Sequence, residues 1–175
     1  AQVIKNRNHS QEIIQEAIVR EEQNMLDSGI VAVGDISNTT DTFLQKQKSR
    51  LHYYTFVEYF DLFQEANTNH ILQQYDAVFD SLVVDSHNKK SKVPHAPYSV
   101  SRKLFDALKN SGDHLTISIH NQETPPENEL FLSKSGDFIS FYERIGLSTR
   151  DIPALGKPSI YYALEYLKKE NRNLF

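Results

Sequence analysis

Leu115-Thr116-Ile117-Ser118-Ile119-His120-Asn121-Gln122-Glu123 begins as a short β-branched apolar run and ends on an imidazole, with a carboxylate three residues further on. An apolar run of this length reads as a strand. In parallel α/β proteins ligands bind at the C-terminal ends of strands, so His120 stands where chemistry is found. An imidazole can ligate a metal through one nitrogen while a nearby carboxylate moves a proton. The plainer alternative is a loop whose acid caps the following helix.

The same grammar runs through the rest of the chain. Ser10 is a candidate N-cap, Glu12 lies in the first turn, and Ile14, Ile18 and Met25 share a face, which predicts a helix that stops at Gly29. Ile30 to Ser37 reads as a strand, and its unbroken apolar start predicts burial on both faces, as in a parallel sheet. Asp41 to Arg50 reads as a short polar helix and Tyr53 to Tyr59 as the second strand. Ile71, Tyr75, Val78, Phe79 and Leu82 form a helical stripe. Asp85 to Ser91 reads as a polar loop before a brief strand at Lys92 and Val93.

Ser101 then caps a helix carrying Leu104, Phe105 and Leu108 that ends at Gly112, and Leu115 to Ile119 is the fourth strand. Pro125 and Pro126 break the chain. Helices follow from Ser135 to Gly146, with Phe138, Ile139, Tyr142 and Ile145, and from Pro158 onward, with Ile160, Ala163, Leu164 and Leu167. Leu174-Phe175 looks like the start of another strand. Alternating strands and helices argue for an α/β fold of successive βαβ units. The chain opens on a helix with no strand before it and on Ala1 instead of Met. The expectation is an internal piece of a larger barrel, a single partial domain over residues 1–175 lacking the first strand and strands six to eight. A small complete four-stranded α/β domain is the alternative.

Bulk properties narrow the function. The chain has 175 residues, 39% of them apolar and 24% charged, with a formal charge of -4. That balance gives no reason to expect nucleic acid or an anionic membrane as a partner. No apolar run reaches the length of a membrane span, and the first residues given lack the basic-then-apolar pattern of a signal peptide. Cysteine is absent, so any metal must be held by His, Asp or Glu, and a cytoplasmic location is the expectation.

A second segment, Val93-Pro94-His95-Ala96-Pro97-Tyr98-Ser99-Val100-Ser101, sets a histidine between two prolines at a strand-to-helix junction. The prolines restrict the backbone to extended conformations and fix the ring, which suits hydrogen bonding to a substrate. Alone, it is also a Pro-rich loop with an exposed histidine. Together the two segments resemble the amidohydrolase superfamily, in the branch that holds cytosine and guanine deaminases, adenosylhomocysteine and aminofutalosine deaminases and triazine chlorohydrolases. That family carries Pro-His-Ala-Pro-Tyr-Ser/Thr at the end of barrel strand four, and Ile-His-x-x-Glu at the end of strand five. These match Pro94 to Ser99 and Ile119 to Glu123. Gly29 to Asp35 is similar to the family's second strand, and Asn128-Glu129-Leu130-Phe131 to the segment after its fifth.

The resemblance implies a partial TIM (β/α)8 barrel of the metal-dependent hydrolase type, with four parallel strands, taken as barrel strands two to five, and surrounding helices. It implies that His120 is a metal ligand, that Glu123 shuttles a proton between the metal's water and the leaving group, and that His95 contacts the substrate. The implied cofactor is a divalent metal, zinc or iron, and the implied reaction is deamination of a purine-like or related heterocycle. The family's other ligands are a His-x-His pair on strand one, a His on strand six and an Asp on strand eight, and no His-x-His occurs in this chain. With one ligand in place, the isolated chain is expected to be metal-free and inactive. Its open sheet edges predict self-association, or association with the rest of a cleaved parent. His9, His52, His70, His87 and His114 are read as structural. Glu58, Asp61, Asp35 and Asn38 fall at or just past strand ends and are candidates to line the pocket.

Two other classes are weaker. A self-contained α/β interaction module predicts a sheet with covered edges. A doubly wound nucleotide-binding enzyme needs a glycine-rich loop after a strand, and the chain has none.

Overall fold

The computed structural model describes residues 10–111 and 116–167 in full, and the backbone of residues 173–174. In chain order the elements are helix α1 (Gln11–Asp27), strand β1 (Ala32–Ser37), helix α2 (Phe43–Lys46), strand β2 (His52–Tyr59), helix α3 (Thr68–Ser81) and strand β3 (Asn88–Pro94). Then come helix α4 (Arg102–Asn110), strand β4 (Thr116–Ile117), helix α5 (Pro125–Ser133), helix α6 (Asp137–Arg144), helix α7 (Ser159–Leu167) and strand β5 (Asn173–Leu174).

β1, β2 and β3 form a parallel sheet in chain order, with Ala32 opposite His52 and Tyr53 opposite Asn88. β4 pairs in parallel with β5, Thr116 opposite Asn173. The predicted strand at the end of the chain is therefore present at Leu174; Phe175 lies outside the described residues, as do Gly112, His114 and Leu115.

The local signals act as read at several places. The Ser10 hydroxyl accepts from the Ile13 N–H and that of Ser101 from the Leu104 N–H, so both helices are capped by their own side chains. Gly29 ends the first helical segment at φ +81°, a conformation that favours residues without a Cβ. Along α4 the spacing buries Leu104, Phe105 and Leu108 against a core that contains Val57, Tyr59, Val93, Phe131 and Tyr162.

Three expectations need correction. β1 is not buried on both faces: β2 is its one partner among the described residues, and Val31 just before it is 72% exposed, with Ile36 also exposed. The segment read as a loop up to Ser91 is already strand from Asn88. Its lysines have distant partners, Lys90 Nζ donating to the carbonyls of Phe79 and Leu82 at the end of α3, and Lys92 Nζ to Asp76 at 2.7 Å. Pro125 and Pro126 do not break the chain but open α5, where the first turn has no use for their missing N–H groups.

Sheet parity decides which side chains meet. Along β2 the odd positions turn to the helices: Tyr53 donates to Glu22 of α1, Thr55 accepts from Lys46 of α2, and Tyr59 donates to Asp76 of α3. The even positions, Tyr54, Phe56 and Glu58, therefore share the opposite face.

Candidate active site

The site is assembled where β2, β3 and β4 end. The His95 N–H donates to the Tyr59 carbonyl at 3.1 Å, and the His120 N–H to the His95 carbonyl at 2.9 Å. These two bonds carry the parallel ladder past β3 and β4 and set three side chains side by side. His120 Nε2 lies 3.0 Å from Glu58 Oε1, and the His95 and His120 rings meet edge to face at 5.3 Å between centroids. The donor atoms of Glu58, His95 and His120 all lie within 4.8 Å of one another.

The Pro-bracketed segment holds His95 from below. After it, Pro97–Ser99 forms a short 3-10 turn closed by the Ser99 N–H on the Ala96 carbonyl. The Ser99 hydroxyl donates to the Ala96 carbonyl at 3.1 Å and lies 2.7 Å from His95 Nδ1. The Ser99 contact engages Nδ1 and so turns Nε2 of His95 away from Ser99. Phe60 and Tyr98 pack against the ring at 5.5 and 5.7 Å.

Tyr98 joins the two sequence segments, its hydroxyl donating to Glu123 Oε2 at 2.5 Å. Behind Glu123 stands the wholly buried Glu127 of α5. Its carboxylate accepts from the backbone N–H groups of Gln122 and Glu123, at 3.0 and 2.9 Å, and from the Asn121 side chain at 3.3 Å. Gln122 has φ +57°, a strained conformation for a side-chain-bearing residue, and Glu127 takes its N–H. Asn121 also donates to Ser159 at the start of α7, so two helices brace the turn from His120 to Glu123.

Burial pushes the Glu58 carboxyl up from its ordinary value, against the pull of His120 and a hydrogen bond with Asn38. Burial also pushes His95 down, helped by the charge of His120. The Tyr98 phenol is raised, by burial first and then by its bond to Glu123. In front of these groups is a cavity of about 840 Å³, bounded by Glu58, His95 and Tyr98 on one side and by Phe138, Phe141 and Tyr142 of α6 on the other. A smaller space of about 310 Å³, between α1 and Lys46, lies on the helix side of the sheet, away from both histidines.

Of the four polar strand-end candidates, Glu58 and Asn38 border this cavity. Asp61 is instead a buried brace, accepting from Ser101 and Thr68, and Asp35 pairs with Lys46. Glu58 and Glu127 carry no recognisable motif, although a lone acid in the otherwise apolar Tyr53 to Tyr59 run demands a partner. His52 and His87 stack on each other at 4.6 Å, at the opposite end of the strands, and His70 is exposed on α3. His9 and His114 lie outside the described residues.

No protein-family model matches the chain, and no curated protein matches its sequence. A solved structure of Helicobacter pylori aminofutalosine deaminase is similar, with a TM-score of 0.64 and 26% identity over 86% of this chain and 37% of that one. The fold is that of the amidohydrolase superfamily. A zinc-bound adenosine deaminase from Xanthomonas campestris aligns with TM-score 0.51 and 17% identity over 79% of this chain and 33% of that one. A triazine hydrolase variant aligns with TM-score 0.55 and 12% identity over 89% and 34%. At those identities the last two speak to the amidohydrolase fold alone. The chain spans about a third of the length of each of these structures.

Proposed function

We propose that the chain is part of a metal-dependent hydrolase that deaminates a purine-like or related heterocycle. The observation that carries this reading is the meeting of the two distant segments, His95 beside His120 and Tyr98 bonded to Glu123, where His95 and Tyr98 border the large cavity. The Helicobacter pylori deaminase has also been solved with methylthio-coformycin, at 25% identity and TM-score 0.62 over 84% of this chain and 35% of that one. That ligand supports a small heterocyclic substrate here.

A divalent metal, when bound, lowers the pKa of a coordinated water and so supplies a nucleophile near neutral pH. In this reading His120 is one of its ligands, and zinc or iron suits the nitrogen donors. Glu123 carries a proton to the departing amine nitrogen, and Tyr98 holds its carboxylate by a hydrogen bond. His95 contacts the substrate near the carbon under attack, its Nε2 facing away from the bond to Ser99. The aromatic side chains of α6 exclude water and give a flat ring surfaces on which to rest.

The remaining donors, and much of the pocket wall, belong to barrel strands outside this chain, so the isolated chain is inactive. Its exposed β1 edge, with Val31 and Ile36, is covered by that remainder or by further copies. The test is to express the parent reading frame and assay ammonia release from aminopurine and related amino-heterocycle substrates. We expect a His-x-His upstream, a further His and Asp downstream, and zinc- or iron-dependent deamination abolished by Glu123→Gln. A parent without those donors, or one that releases no ammonia, overturns the reading. Sedimentation of the chain alone as a strict monomer would count against self-association.

A further inference from the structure

We propose that Asp61, in the turn that follows β2, is a positioning residue for the candidate active site: it clamps the segment from Pro97 to Ser101 and, through Ser99 and Tyr98, sets His95 and Glu123. Asp61 is 5% exposed and does not itself line the cavity, so it acts through other residues. Its consequence for turnover rests on the hydrolase reading, whereas the placement rests on geometry alone.

The carboxylate is fully engaged. Asp61 Oδ1 accepts from the N–H groups of Phe63 and Ser101 at 3.2 and 2.9 Å, and Oδ2 from the hydroxyls of Thr68 and Ser101 at 2.9 and 2.5 Å. Four donors match the acceptor capacity of a carboxylate, so the buried charge is held without a cation. Two of the four belong to Ser101, which closes the segment carrying His95, Tyr98 and Ser99 and caps α4. The backbone beside Asp61 is strained as well. Leu62 and Phe63 stand in succession at φ +51° and +59°, a costly conformation for residues with a Cβ. A carboxylate that only capped α4 and met α3 would need no such turn.

What the turn holds is Ser99. The N–H groups of Asp61 and Leu62 both donate to the Ser99 carbonyl, at 3.2 and 2.9 Å, while the bond from the Phe63 N–H to Asp61 keeps the turn closed. The Ser99 hydroxyl in turn lies 2.7 Å from His95 Nδ1. Tyr98, one residue earlier, carries the hydroxyl bonded to Glu123, and its own carbonyl accepts from the Tyr142 hydroxyl. Asp61 therefore grips the segment at two points, at Ser99 through the turn and at Ser101 directly. Such outer support holds reacting groups to within fractions of an ångström of their working geometry. Phe60 and Leu62, on either side of Asp61 in the chain, line the cavity, so the same turn also shapes its wall.

The experiment uses the full 175-residue chain, isotopically labelled, and reads the ring nitrogens of His95 by long-range proton–nitrogen correlation. Ser99→Ala, which removes the hydroxyl at Nδ1, calibrates the shift of a lost contact. Asp61→Ala is expected to move the His95 nitrogens in the same direction, and to add nothing further in a Ser99→Ala background. Asp61→Asn keeps one oxygen for the N–H groups of Phe63 and Ser101, so a smaller shift is expected, and it decides the matter where Asp61→Ala fails to fold. Lys46→Ala, which breaks the pair on the helix side, is expected to leave the nitrogens at their wild-type positions, so that lost stability alone does not account for a shift. In the parent, Asp61→Asn is expected to lower kcat/KM by about 10-fold, within what a small misplacement costs. Wild-type His95 resonances in the folded Asp61 variants, or an equal shift in Lys46→Ala, overturn the role. Unmoved resonances beside an active parent defeat this inference alone, whereas a parent that releases no ammonia defeats the hydrolase reading and leaves the placement to the spectra.

Discussion

Two ion pairs lie on opposite faces of the same sheet, and they are built to different ends. On the helix side Lys46, 2% exposed, donates to Asp35 at 2.5 Å and to Thr55 at 2.9 Å, while Tyr53 and Gln45 close on Glu22 beside it. Its polar atoms meet one another, with Lys46 itself shut off from solvent. On the inner face Glu58 pairs with His120 at 3.0 Å, yet His120 is 42% exposed and His95 beside it borders a large cavity. The first cluster uses its hydrogen-bonding capacity internally, as structural polar networks do. The second leaves capacity for something outside the protein. That difference, more than burial or charge, separates the brace from the candidate site.

Alkali acts on both faces and has the largest expected effect. Tyr53 and Tyr59 on the helix side, Tyr98 at the site and Tyr75, Tyr142 and Tyr162 in the core all have raised phenol pKa values, burial being the first cause for each; that of Tyr75 is pushed up to about 12. A raised folded-state pKa means that the folded chain keeps its protons longer than the unfolded one. The stability these groups contribute is therefore complete below about pH 10 and is lost as pH rises beyond it. Phenolate absorbance at 295 nm should rise for these six residues only as far-UV circular dichroism is lost. Smooth ionisation of all six in a folded chain would contradict their burial.

Lys46→Ala breaks the helix-side pair alone. Removing one partner of a buried pair leaves the other uncompensated, and with Asp35 partly exposed we expect the low end of that penalty, about 3 kcal/mol. Urea unfolding measures it. The contrast predicts that amide exchange at Gln122 and Glu123, on the other face, is unchanged in Lys46→Ala, and a parallel quickening there would show that the two faces are coupled. Glu127→Ala strikes the brace of the site instead. It strands the N–H groups of Gln122 and Glu123, at a cost of about 2 kcal/mol, and amide hydrogen exchange at those two residues should quicken well ahead of β2. Uniform exchange across the chain would mean that Glu127 stabilises the fold without positioning the turn.

How much of this was legible follows the range of the interactions. Ser10 and Ser101 announce their helices because a cap is a local bond spanning three residues. The His95 and His120 segments are legible because each stands at a strand end. The sequence signal for β3 reaches only Lys92 and Val93, because Lys90 and Lys92 find their partners on α3, too far along the chain for alternation to reveal the strand's start at Asn88. α5 was missed because prolines that stop a helix interior are well placed in its first turn. Glu58 lay in plain view as the lone acid of an apolar strand. Its partner, His120, is supplied by a strand whose position is fixed only by the assembled sheet.

The smallest predicted effect tests the link between the two sequence segments. Tyr98→Phe removes one hydroxyl, and with it the bond to Glu123. The ring remains stacked on Phe138 at 4.6 Å, so packing is kept. A hydrogen bond to a carboxylate near solvent is worth little in net stability, and we expect a loss below about 1 kcal/mol. Its consequence should be positional. Glu123 still has its backbone N–H on Glu127, so the turn stays in place while the carboxylate swings free. In the parent the expectation is a fall in kcat with little change in KM, because a proton carrier that must find its orientation slows the chemical step and leaves substrate binding alone. An unchanged kcat would mean that the turn alone orients Glu123, and the two segments would then meet only through their histidines.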